Sequence, residues 1–160
     1  MVSSTQTAPE PRASIFPYLS IRNASAAIEF YKRAFGATEK GVMKGPGGKV
    51  MHAELRIGDS ILMLADEFPE FGSLSPLSGA VSSTGLHIYV DDADAVFDRA
   101  VKAGATVELP VADMFWGDRY GKLRDPYGHS WSIGTHKADL TKEEIEKAQA
   151  EFMARLPKSA

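Results

Sequence analysis

His52 and Glu54 stand two residues apart in an alternating segment, 49–57, where every second side chain points the same way. An imidazole and a carboxylate then share one strand face. Glu54 is a candidate catalytic general base if burial lifts its pKa toward neutrality, while the plainer reading makes it one half of an ion pair with Arg56, Lys122 or Arg124 on adjacent strands. His87 lies in a second alternating segment. Together His52, Glu54 and His87 are the right residue types for one divalent metal ion, in an irregular site, while the plainer reading makes both imidazoles hydrogen-bonded lining. Phe16, Tyr18, Tyr89, Trp116 and Tyr120 fall beside them, with Arg56, Lys122 and Arg124 further along the strands. Aromatic rings with a few polar groups describe a small-molecule groove, and they also describe a filled sheet interior. His129 and His136, seven apart, take opposite faces of a strand and cannot share an ion without a bulge; both read as solvated.

Composition narrows the chemistry. With no cysteine in 160 residues, disulfides, thiolate catalysis and Cys-ligated zinc are excluded. A net charge of −3 with short, mixed charge runs gives no basic face for nucleic acid. No apolar run approaches the ~20 residues of a membrane helix, and residues 1–14 lack the order of a secretory signal, so a cytoplasmic protein with no membrane partner is expected.

The elements that must position these residues follow from periodicity and caps. A strand over 15–21 puts Leu19 and Ile21 on one face and Phe16, Tyr18 and Ser20 on the other. Asn23 caps a helix over 24–35 that Gly36 stops; strands follow over 37–43, 49–57 and 60–65, separated by the 45–48 glycine cluster and the Gly58-Asp59 turn. The run 66–83, rich in Ser, Gly and Pro, reads as a structureless linker. The pattern then restarts: a strand over 86–90, an Asp92-capped helix over 93–103 with Val96, Phe97, Ala100 and Val101 buried, Gly104, and a strand over 106–110. A hairpin, 118–124 and 129–135, closes on Asp125-Pro126-Tyr127-Gly128, where Pro presets φ at the second turn position. Gly36-Ala37-Thr38 and Gly104-Ala105-Thr106 stand 68 apart, Ile21 and Val90 69, Gly58 and Gly128 70. One near-constant offset across strand, helix and three strands marks a duplicated βαβββ module.

The expected fold is therefore α+β, with two tandem βαβββ modules as curved mixed sheets, helices outside and a groove between. Its boundaries are a flexible tail over 1–14, modules over 15–65 and 84–136, the linker over 66–83, and a C-terminal helix within 137–160. Thr141 with Glu144 forms a capping box for that helix, whose Ile145, Ala148, Phe152 and Leu156 make one stripe expected to dock on the sheet or on a second subunit.

Several of these residues carry a resemblance. Ala27-Ile28-Glu29-Phe30-Tyr31 with Phe35-Gly36-Ala37, then Val90-Asp91-Asp92 and Asp125-Pro126-Tyr127-Gly128-His129, resemble the vicinal oxygen chelate superfamily of glyoxalases, bleomycin-resistance proteins and dioxygenases. Pro17-Tyr18-Leu19-Ser20, His52-Ala53, Phe115-Trp116 and Tyr120-Gly121-Lys122 are similar to its PhnB-like branch. The resemblance implies one metal ligand on each of four strands. Those positions fall here on Phe16, on His52 or Glu54, on Gly85 or His87, and on Ser132, so most of the family's ligands are absent. It therefore implies a small-molecule-binding protein without the usual metal and with no other cofactor. A metal-dependent lyase, isomerase or dioxygenase with a rearranged ligand set is the alternative. It also implies a homodimer, and the linker is long enough for exchange of modules. Phe115 and Trp116 are expected either to stack on a flat ligand or to anchor an interface.

Overall fold

The computed structural model describes residues 15–80 and 82–156, so the expected tail over 1–14 lies outside them. The first module runs β1 (Tyr18–Ile21), α1 (Ala24–Phe35), β2 (Thr38–Lys44), β3 (Val50–Ile57) and β4 (Ser60–Asp66). The second runs β5 (Gly85–Tyr89), α2 (Ala93–Ala103), β6 (Thr106–Asp113), β7 (Asp118–Arg124) and β8 (Ser130–His136), and α3 (Lys142–Arg155) follows. The sheets have equivalent orders, β1-β4-β3-β2 and β5-β8-β7-β6. In each, the first strand joins the last in parallel and the remaining pairs are antiparallel.

The duplication extends to side-chain chemistry. The first backbone N–H of α1, on Ala24, donates to Asp66 at the end of β4 (2.8 Å), and the first of α2, on Ala93, donates to Thr135 near the end of β8 (2.8 Å). Donor and acceptor are both displaced by 69 residues, so each module ties its helix to its last strand in the same way. Asp66 also accepts from the backbone of Val50 at 2.7 Å, which makes it part of the strand pairing rather than the start of a linker.

Each sheet carries its helix on one face and leaves the other open. Leu19, Ile21, Ala53, Leu55, Leu62 and Leu64 bury under α1, while Leu123, Trp131 and Ile133 form the covered face of the second sheet. The helices pack against each other, and one core joins both modules. Trp131 crosses the boundary, with its ring 4.5 Å from Phe35 and 5.5 Å from Tyr31. At the polar centre of this contact lies Asp125, 4% exposed. It accepts from Tyr31 Oη (2.7 Å), Trp131 Nε1 (2.9 Å) and the backbone of Tyr127 and His129 (2.9 Å each).

Two expectations change. The connection after β4 is built, not structureless: 3-10 turns occupy Pro69–Phe71 and Pro76–Ser78, each opening on a proline, and Phe68 pairs with Ser73. Glu67 accepts from the Ser75 backbone (3.0 Å) and pairs with Arg22 (3.2 Å), which draws the connection against β1. Val101 is half-buried, not buried like Val96, Phe97 and Ala100. In α3 the capping box forms and no residue is buried; Phe152 reaches the turn between β6 and β7, where its ring lies 5.3 Å from Phe115. Among the described residues no helix is long and apolar enough to cross a membrane.

Candidate small-molecule binding face

Strand alternation places the chemistry-bearing residues on the open faces, in two separate groups. On the first sheet, Tyr18 Oη and His52 Nδ1 are hydrogen-bonded at 3.0 Å, and His52 Nε2 lies 3.4 Å from Glu54 Oε1. Phe16, half-buried, precedes β1. The Glu54 side chain is 40% exposed, so the enclosure that would make it a general base is not provided by this chain alone. The expected Glu54 ion pair with Lys122 or Arg124 gives way to another: those two cations both meet Glu108, on β6 of their own sheet.

The second sheet carries the denser group. Gly134 on β8 is flanked in register by Tyr120 on β7 and Tyr89 on β5, and Ser132 by Lys122 and His87. Gly134 favours a close approach here: a Cβ would meet His87 Cε1 at 3.1 Å and Tyr89 Cε1 at 3.4 Å. Its absence lets the imidazole lie across β8, stacked on Tyr120 (5.8 Å, 19°) and edge-on to Tyr89 (4.6 Å). Ser132 Oγ holds His87 Nδ1 at 2.7 Å. Trp116 meets Tyr120 edge-on at 5.4 Å, and Phe115 meets Trp116 at 5.1 Å.

One buried carboxylate organises this wall. Asp118, 5% exposed, accepts from Tyr89 Oη (3.0 Å) and Trp116 Nε1 (3.1 Å) on one oxygen, and meets His136 Nδ1 at 2.9 Å with the other. Burial pushes the Asp118 carboxyl up, but the bonds from His136, Tyr89 and Trp116 outweigh it and hold the group below the usual carboxylate range. Its charge raises the Tyr89 phenol through their hydrogen bond. The aromatic wall is thus anchored from within the chain, while Tyr89 stays 65% exposed.

Alternation makes Asp118 only the first residue of a strand and assigns it no role. The available signal was its spacing of two from both Trp116 and Tyr120. His129 is a correction: it is 7% exposed rather than solvated, with Nε2 3.3 Å from the Ser20 carbonyl. His136 stands between two carboxylates, Asp118 and Asp139, rather than in solvent alone.

The donor set can be tested against a metal ion. His52 and Glu54 meet on the first sheet, His87 is bonded to Ser132 on the second, and among the described residues no three His, Cys, Asp or Glu side chains converge to hold an ion. A single chain therefore does not fit a divalent centre at His52, Glu54 and His87.

Comparison with known proteins identifies the fold. The model of the Glyoxalase/Bleomycin resistance protein/Dioxygenase superfamily matches residues 15–133. An uncharacterized protein of Mycobacterium tuberculosis is 42% identical over 144 residues, spanning 88% of this chain and 84% of its own. The crystal structure of an Arabidopsis thaliana gene product superposes with a TM-score of 0.62 at 28% identity, covering 77% of this chain and 98% of that one. A PhnB protein from Bacillus cereus shares the fold, with a TM-score of 0.61 at 19% identity over 77% and 99% of the two chains. With its duplicated βαβββ modules, the chain belongs to the glyoxalase/bleomycin resistance protein/dioxygenase superfamily.

Proposed function

We propose that this protein binds a small, flat molecule against the open face of its second sheet, with no metal or other cofactor, as a cytoplasmic homodimer. The observation that carries the reading is the pre-set aromatic wall: Tyr89 and Trp116 are anchored on one Asp118 oxygen, with His87 and Tyr120 stacked between them. Rings held in place lose little freedom on stacking, which favours binding. The dimer rests on apolar exposure on the open faces, where Tyr18 is 52%, Met43 61% and Tyr89 65% exposed. A second copy facing these sheets would enclose the wall and complete a groove.

The test is quenching of tryptophan fluorescence by a panel of fused-ring aromatic compounds, followed by calorimetry on any hit. Trp116→Ala should weaken binding about tenfold, the worth of one aromatic contact. A panel with no hit below millimolar, or a hit whose affinity ignores both Trp116→Ala and His87→Ala, would overturn the reading. Light scattering after gel filtration reads the dimer.

A metal-dependent enzyme of lyase, isomerase or dioxygenase type is the second reading, favoured by the contact of His52 with Glu54 on an open face. It requires His87 from a second copy to reach them. Elemental analysis decides: stoichiometric zinc, nickel, manganese or iron, lost in Glu54→Ala, would establish it against the first.

A further inference from the structure

His136 is placed so that neither tautomer of a neutral imidazole satisfies it. Its Nδ1 lies 2.9 Å from Asp118 Oδ1 and its Nε2 2.8 Å from Asp139 Oδ1. Neutral imidazole has one N–H and one bare lone pair, so one of the two carboxylates would face a lone pair; only imidazolium donates to both. The two carboxylates differ sharply, with side-chain exposures of 5% for Asp118 and 101% for Asp139. When a proton leaves, the remaining N–H is held by the buried acceptor, because an unmet buried charge costs far more than one returned to water.

What hangs on the exposed end is the C-terminal segment. Lys137 and Ala138 donate their backbone N–H groups to the Gly117 carbonyl (3.0 Å each), Asp139 follows, and Thr141 caps α3. The helix buries none of its residues, and its ring contact is Phe152 on Phe115, the neighbour of Trp116. A helix so thinly attached depends on how its first turn is moored.

We propose that His136 is a proton-dependent clasp on the C-terminal helix: its imidazolium joins buried Asp118 to Asp139, and loss of one proton frees the Asp139 end and loosens α3 from the rim of the aromatic wall. The other groups facing it are accounted for. Tyr89 reaches it only through Asp118; Asp91 lines the same hollow; Lys137 is adjacent in sequence; Arg119 is engaged by Asp94 and Asp113. The hydrogen bonds to Asp118 and then Asp139 hold the imidazole above its ordinary range, against the opposing effect of burial. The clasp is therefore closed at low pH and opens as pH rises past that of a free histidine. Its bearing on ligand access rests on the binding reading above, whereas the clasp itself does not.

The experiment is an NMR titration of the full chain without ligand, following the histidine ring protons together with amide exchange along α3 corrected for intrinsic base catalysis. His136 is identified by His136→Gln. Wild type should show a His136 midpoint above 6.5, the ordinary value, and a loss of α3 protection in step with it. Both His136→Gln and Asp139→Asn should remove that step: a glutamine amide does not titrate in this range, and an asparagine amide can donate to the neutral ring. Asp139 is fully exposed, so its variant folds even if the other fails. A His136 midpoint at or below 6.5, or an α3 step that persists in Asp139→Asn, would overturn the clasp. Neither readout involves a ligand, so failure of the binding panel and failure of the clasp are separate results.

Discussion

Replacing Asp125 with alanine should cost about 3–6 kcal/mol, most of what a domain of this kind has to lose. The figure comes from counting stranded donors. The Tyr31 hydroxyl and the Trp131 indole N–H lie on side chains 0% and 2% exposed and both donate to Asp125 Oδ2. Each, left without an acceptor and out of reach of water, costs about 1–3 kcal/mol. The backbone of Tyr127 and His129 loses Oδ1 as well, which loosens the turn. Tyr31→Phe keeps the stacking on Phe35 and the tilted contact with Trp131 and removes one charge-assisted bond, for about 1.5–3 kcal/mol. Because both substitutions break the same bond, the double variant should lose less than the sum, with a coupling of about 0.5–3 kcal/mol. Urea unfolding, followed by tryptophan fluorescence and circular dichroism with coincident transitions, reads all three. A loss below about 1 kcal/mol for Asp125→Ala, or strict additivity with Tyr31→Phe, would show that Asp125 is a local turn former and does not join the modules.

Three further outcomes are expected. Gly134→Ala should push the His87 ring away from β8 by a few tenths of an ångström, seen as a change in the ring-current shift that Tyr120 imposes on the His87 protons; an unchanged His87 spectrum would refute the close-approach argument. Gly121→Ala would set a Cβ 2.8 Å from Val111 Cγ2 and 2.9 Å from Phe97 Cε2, an overpacking that should lower the urea midpoint by about 1–3 kcal/mol worth of stability. The Glu67 carboxyl is drawn down to about 2, by Ser78 first and then the Ser75 backbone and Arg22. A carboxyl depressed on folding stabilises above its unfolded value of 4.5 and loses that contribution as pH falls from 4.5 toward 2. Glu67→Gln should flatten that part of the acid-unfolding curve, whereas the His136 contribution has the opposite sense and disappears as pH rises.

Much of the fold was legible because its signals are local. Asn23, Gly36, Asp92, Gly104 and Thr141 cap helices by hydrogen bonds within a few residues, and all three helices begin at the expected position. Alternation alone assigned Tyr18, His52, Glu54, His87 and Tyr89 to the open faces, since a strand leaves a side chain only two directions. The site was less legible because it depends on distances between strands. Whether Lys122 meets Glu54 or Glu108 is decided by which strands lie in one sheet, and periodicity carries no such information. Asp118 escaped notice for a related reason: its partners come from β5, β8 and the turn before β7. The turns inside the linker after β4 are not legible because 3-10 turns at Pro69 and Pro76 are too short to show a period, though proline at a first helical position is a usable sign.

The Tyr31–Asp125 bond spans 94 residues, and the Trp131 ring that packs on Tyr31 and Phe35 comes from the last strand. During synthesis the first module therefore emerges with an aromatic surface that nothing yet covers. At about 5–20 residues per second, α1 waits roughly 5–20 s for Trp131 to leave the ribosome. That interval is when this chain is most open to chaperones and to association with other nascent copies. Synonymous codon changes that slow the stretch between Phe35 and Trp131 should therefore lower the yield of folded protein, read as the soluble fraction on expression, without altering a single residue.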